Sequence, residues 1–277
     1  MNLHDLKITV ILAILFGIFH TSCEYTEFYP PLIFDESEGF RYKKEQAFCK
    51  SNPGNEVWSK SFTRDEKGNI TEEITFSGDS PNFKTTRTFN SSNQQLTDST
   101  FNFINGKWQL QHSNKFVYNR NLLSEILRFG ADGKNTHKTT YSFQGNKLRW
   151  EEFWYYSENE WKFQYAHAFN FNNNGKLIKK ESYQTEKKDK VYDTFIYTYY
   201  NNKLVEEKRI IQTGATSYVL KFTYNSNGFH DETIQDGNVI EKNYYSDGRL
   251  TEKHTFYFGI DPGFSQCNGN LIYKYGY

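Results

Sequence analysis

The chain has 277 residues, with 33 Lys+Arg balanced by 33 Asp+Glu, and its mean hydropathy is −0.82. A formal net charge of zero argues against a nucleic-acid binder, whose basic stripe normally shows in the charge balance. Phe, Tyr and Trp make up 18% of the residues, and disordered chains are poor in rings, so a polar chain of this kind reads as β-structure with a thin core and one wet face.

Residues 1–22 have the form of a signal peptide. His4, Asp5 and Lys7 precede an apolar run from Ile8 to Phe19 that only Thr9 and Gly17 relieve. The run is shorter than the roughly 20 residues of a spanning helix and suits the apolar core of an export signal. His20-Thr21-Ser22-Cys23 follows, and small residues directly before a Cys resemble the lipobox of bacterial lipoproteins. His20 departs from that pattern, because an aliphatic residue usually stands there. The resemblance implies diacylglycerol on the Cys23 thiol, export to the cell envelope, and the membrane as a partner through the lipid anchor, with the outer membrane as the expected address. Each buried acyl CH₂ contributes about 0.8 kcal/mol, so such an anchor needs no transmembrane helix. The alternatives are ordinary cleavage near Ser22, which leaves Cys23 for a disulfide, and a retained membrane anchor.

Residues 23–57 lack the pattern found further on and are expected to form a lipid-anchored N-terminal segment and cap. If Cys23 is lipidated, Cys49 and Cys267 remain. An exported location permits a bridge between them, provided the two ends of the domain meet; the alternative is two free thiols.

From 58 to 277 one pattern recurs about eight times. Alternating aromatic and polar residues lead into a short Asn/Gly/Asp cluster, then an apolar residue, then a second alternating run, as in FNFNNNGKLIKKESY at 169–183 and NYYSDGRLTEKHTF at 243–256. The residue after each cluster is Ile70, Leu96, Leu123, Leu148, Leu177, Leu204, Phe229 and Leu250. Two positions earlier stand Gly68, Gln94, Asn121, Asn146, Gly175, Asn202, Asn227 and Gly248, and all but Gln94 are of the types that best tolerate the positive φ of a tight hairpin turn. Each copy therefore predicts a two-strand antiparallel hairpin, joined to the next by a more variable connection such as 184–190. GNLIYKYGY reads as a half-repeat that ends the array. The expected fold is all-β, an elongated array of about eight hairpins in a single twisted sheet or a solenoid-like stack, with a closed barrel left open.

Tyr245-Ser246-Asp247-Gly248-Arg249-Leu250 and Phe171-Asn172-Asn173-Asn174-Gly175-Lys176-Leu177 resemble the core of YD (RHS-type) repeats, and 236–256 is similar to MORN-type hairpin repeats. The resemblance covers about 58–277 and implies stacked hairpins, with little shared enzymology.

No catalytic, metal-binding or cofactor motif emerges, and catalysis is not the expected role. Two residues past each anchor lie Glu72, Asp98, Glu125, Trp150, Lys179, Glu206, Asp231 and Glu252. A stacked carboxylate column could hold Ca²⁺; a ladder of cross-strand ion pairs is the plainer reading. Trp108, Trp150, Trp154, Tyr156 and Trp161 crowd the middle of the array and are the candidate ligand-contact rings, unless the sheet needs them for its own core. Trp154-Tyr155-Tyr156 must place rings on both faces of its strand. The expected function is a non-catalytic structural or binding surface for a partner protein or glycan. A glycan-directed envelope enzyme and a component of a contact-dependent or secretion apparatus are the alternatives.

Overall fold

The computed structural model describes residues 44–49, 52–256 and 270–276. The leader, Cys23 and Cys267 lie outside the described residues, as does the side chain of Cys49. The strands in chain order are β1 (Lys44–Cys49), β2 (Asn52–Arg64), β3 (Ile70–Ser77), β4 (Ser80–Phe89), β5 (Gln95–Ile104), β6 (Lys107–Asn119), β7 (Leu122–Gly130), β8 (Asn135–Gln144) and β9 (Lys147–Ser157). They continue as β10 (Glu160–Phe171), β11 (Leu177–Tyr183), β12 (Val191–Tyr200), β13 (Lys203–Ile211), β14 (Thr216–Tyr224), β15 (His230–Gln235), β16 (Asn238–Ser246), β17 (Arg249–Phe256) and β18 (Asn270–Gly276).

Every strand pairs antiparallel with the next, and β18 pairs with β1 from Lys44↔Gly276 to Cys49↔Leu271. The expected hairpins are present, but the open twisted sheet or solenoid is not. The array closes into an 18-stranded up-and-down barrel. The physical reason is the edge. An open array leaves a row of unpaired N–H and C=O groups at each end, and twisted sheets rarely exceed about ten strands without curling or closing. The C-terminal half-repeat supplies β18, and β1 is the partner that removes both edges.

Residues paired across an antiparallel ladder share a face, so the registers sort side chains around the whole ring. One face carries Ala47, Phe116, Ile126, Phe169, Tyr197 and Phe222, all at most 4% exposed, and is the interior. It also holds charge: Lys60 and Arg87 flank Glu73 at 2.9 and 3.1 Å, and Asn114 donates to Asp98 at 2.7 Å. The outward face alternates with it and carries Lys115, Lys138, Glu152, Glu206, Lys221 and Lys242 near mid-barrel.

The barrel has two unlike ends. At the turn end, where β2 meets β3, β4 meets β5 and so on, the connections are two or five residues long. Asn201 and Asn202 form a two-residue turn with φ of 46° and 67°, the conformation that suits hairpin twist. In the five-residue turns the Asx that opens the loop caps it: Asn90 Oδ1 accepts from the N–H groups of Ser92 and Gln94, and Asn225 Oδ1 from those of Asn227 and Phe229.

Two repeat anchors are displaced by one residue from the sequence reading. The inward residue that pairs with the aromatic before the turn is Gln95, opposite Phe89, and His230, opposite Tyr224, rather than Leu96 and Phe229. With that shift the position two before each anchor becomes Asn93 and Gly228 in these copies, so all eight are Gly or Asn. In each copy a β-bulge follows the anchor pair. Adjacent repeats are stitched there. Tyr118 Oη donates to the Gln95 carbonyl at 3.0 Å, Tyr224 Oη to that of Leu204 at 2.7 Å, and Tyr245 Oη to that of His230 at 2.9 Å. Lys147, Lys176 and Lys203, each one residue before an anchor, donate to carbonyls in the next turn, those of Asn172, Asn202 and Gly228.

Candidate functional site

The opposite, loop end carries the variable connections, among the described residues from two between β3 and β4 to seven between β11 and β12. Close to this end the rising strand of each hairpin turns one bulky apolar or aromatic residue outward: Phe76, Phe103, Phe129, Tyr156, Tyr183, Ile210, Ile234 and Phe256. This collar recurs every 22 to 27 residues and could have been read from the same alignment that exposed the turns. The sequence reading missed it because it counted forward only two residues from each anchor.

All five candidate rings face outward. Trp154 and Tyr156 of β9 and Trp161 of β10 come together, whereas Trp150 stands four residues before Trp154 along β9, about 13 Å, and Trp108 of β6 lies three strands away, about 14 Å around the wall. Tyr156 meets Trp161 edge-on at 5.0 Å, and Trp154 meets Phe163 edge-on at 5.4 Å. Lys138 Nζ stands 4.8 Å from the Trp161 ring centre and 5.4 Å from that of Trp154. Trp108 has its own set, edge-on to Phe103 at 4.9 Å with Lys84 Nζ at 5.0 Å. Tyr155, between Trp154 and Tyr156, faces inward opposite His137 and Lys162, as alternation requires. Trp150 covers Ala168 on the adjacent strand and packs against Tyr183 at 5.4 Å, which explains how Ala166 and Ala168 are buried on the outer wall.

The acidic column does not persist as a column. Asp98 points inward, while Glu206 faces Lys221 and Glu252 faces Lys274 on the outer wall. Lys179–Glu181 at 2.6 Å and Lys242–Glu232 at 2.7 Å continue an outer ladder of ion pairs. Among the described residues no cluster of His, Cys, Asp and Glu could hold a metal ion. No helix among them is long and apolar enough to cross a membrane. As for the strands, an outward Lys in a lipid-facing wall costs about 2–4 kcal/mol at the midplane, and this wall carries several, so its middle band is built for water.

Sequence reading also missed an interior row. Glu151, His167, Ser182 and Asp193 are successive cross-strand partners on β9 to β12. Ser182 Oγ lies 3.0 Å from His167 Nδ1, and Arg209 donates to Asp193 Oδ2 at 2.8 Å. Burial holds the His167 imidazole neutral, its pKa pushed down to about 3 with the Lys180 charge adding to the effect. Burial pushes the Glu151 carboxyl up to about 8, and Lys180 only partly opposes this. The row opens at the loop end into a cavity of about 520 Å³, lined also by Tyr165, Gln164, Tyr183, Gln184 and Tyr192. Tyr165 stacks on Phe153 at 4.1 Å, which fixes one wall.

No family model matches the chain, and no curated protein is significantly similar to it. Among solved structures, a porin-like protein from Bacteroides uniformis is similar at a TM-score of 0.46 and 11% identity, over 86% of this chain and 98% of that one. A porin-like protein from Bacteroides vulgatus gives 0.40 and 13%, over 85% and 98%. A chain of the TcdB2-TccC3-Cdc42 complex gives 0.38 and 12% over 76% of this chain, which spans 12% of that one. With TM-scores below 0.5 these are loose likenesses among β-rich chains.

Proposed function

We propose that the chain is an exported cell-envelope protein, lipid-anchored at Cys23, whose barrel presents a non-catalytic binding surface to a partner protein or glycan. One observation carries the reading: Trp154, Tyr156 and Trp161 gather on the outer wall, with Trp150 further along the same face, and so do not fill the barrel interior. Half-buried rings with a lysine over them offer apolar area, a π-face and a cation in one patch, the composition that interfaces favour over the rest of a surface. The chain enters the barrel at the turn end, where Lys44 pairs with Gly276, so a tether there leaves the aromatic end free to face outward.

The test has two parts. Wild type and Cys23→Ala are compared by membrane fractionation with protease added to intact cells; the anchor predicts membrane-bound, shaved wild type and a released variant. Trp154→Ser with Trp161→Ser is then tested against purified envelope glycans and envelope proteins. Binding falls about tenfold or more while the melting curve stays within a few degrees of wild type. Soluble wild type would remove the anchor, and unchanged binding would leave these rings a purely structural role.

A further inference from the structure

The cavity at the loop end is lined by inward residues of β10 to β12 together with the outward Tyr183, with none of Trp154, Tyr156 and Trp161 in its walls, and those walls are placed by local irregularity in the sheet. Gln164 is the bulged residue between Phe163 and Tyr165 in β10, and Tyr192 is the bulged residue between Val191 and Asp193 in β12. Bulges re-aim side chains, and both of these line the same cavity. Two strands therefore give up regular pairing on opposite sides of β11 at one place. The connection that follows Gln184 does not close the opening, since Lys188 reaches to the outer wall, 2.5 Å from Glu152 and 5.0 Å from the Trp150 ring centre.

The chemistry of the lining is neutral and rich in hydrogen-bonding groups. Asp193 is 7% exposed; Arg209 balances its charge through Oδ2, while Oδ1 has no partner. Unpaired buried carboxylate oxygens are costly and call for a donor. Gln164 and Gln184 each bring an amide donor and acceptor, Ser182 and His167 form a neutral pair, and Tyr192 offers a ring that is 41% exposed. We infer that this cavity is a binding site for a neutral, hydroxyl-rich ring, a mono- or disaccharide, whose hydroxyls donate to Asp193 Oδ1 and exchange hydrogen bonds with the two glutamines while its C–H face lies on Tyr192. A volume of about 520 Å³ suits such a ligand, since small-molecule sites run from about 300 to 1,000 Å³. An anion would meet the Asp193 carboxylate, and a cation would compete with Arg209, so neither class fits as well.

The experiment is ligand-observed NMR on the full chain with glucose, galactose, N-acetylglucosamine, maltose and cellobiose as probes, and glucose 6-phosphate as the charged control. Millimolar or tighter binding of at least one neutral sugar is expected, weakened about tenfold or more by Tyr192→Ser and by Asp193→Asn. The outer-patch variant Trp161→Ser should leave it unchanged. Tyr192 is exposed, so that variant keeps the fold, and its melting curve serves as the check. Absence of binding by every neutral sugar, or preference for the phosphate, would overturn the site. Binding lost in Trp161→Ser but retained in Tyr192→Ser would also overturn it, moving sugar recognition to the outer wall and leaving the proposed surface function standing.

Discussion

The two ends of the barrel are made from the same hairpin and are put to different use. At the turn end the loops are short, the Asx and Gly positions recur, and Tyr118, Tyr224 and Tyr245 each tie one repeat to its predecessor. At the loop end the connections vary, the collar of outward apolar residues begins, and two bulges open a cavity. A closed sheet needs only one regular end to hold its register, because each strand is already paired on both sides. The other end is then free to vary.

The largest expected effect would pin the loop end. Cys49 pairs with Leu271 across the closure, and Cys267 precedes Leu271 by four residues, a reach of up to about 14 Å. Closure therefore brings the two ends of the domain together, which the proposed Cys49–Cys267 bridge requires. Peptide mapping without reductant should recover the two cysteines linked, and Cys49→Ser should cost on the order of 3–5 kcal/mol in denaturant unfolding. Ready alkylation of both thiols in unreduced protein would rule the bridge out.

A second effect comes from the interior row that leads to the cavity. The folded-state pKa of Glu151 is about 8, above its ordinary 4.5, so the native state binds the proton more tightly and stability falls as pH rises from about 4.5 to 8. His167 works in the opposite sense: with its pKa lowered to about 3, stability falls as pH drops from about 6.5 to 3. Glu151→Gln should therefore stabilise the barrel by on the order of 2–4 kcal/mol at pH 8 and by little at pH 4. Equal effects at both pH values, measured by urea unfolding, would show that the carboxyl titrates normally.

How much of this was legible in the sequence differs between the two ends for a physical reason. The turns were readable because positive φ restricts residue type, and Asn202 or Gly248 announces itself without reference to any partner. The split of Trp154-Tyr155-Tyr156 between faces followed from strand alternation alone. The anchors at Gln95 and His230 were misplaced because apolar Leu96 and Phe229 stand beside them, and hydropathy favours the wrong neighbour. His230 is nonetheless only 4% exposed, with Nδ1 2.8 Å from Asn243 Nδ2 and Nε2 3.2 Å from Thr233 Oγ1, a polar set that replaces the leucine of other copies. Closure between β1 and β18 and the cavity framed by Gln164 and Tyr192 depend on registers between strands, which no single segment encodes.

The smallest effect tests whether the stitching at the turn end adds stability in the way its repetition suggests. Tyr224→Phe removes one hydrogen bond to the Leu204 carbonyl, and the ring keeps its place against His230, so the loss should be about 1 kcal/mol with ligand binding unchanged. Tyr156→Phe, the same chemical change at the loop end, removes no hydroxyl tie between repeats and should cost less in stability. If the two variants unfold at the same urea concentration, the tyrosine hydroxyls do not carry the register, and the bulges that follow each anchor must do so. If Tyr224→Phe alone is weakened, the turn end holds the repeats together and the loop end is left to the recognition proposed for it.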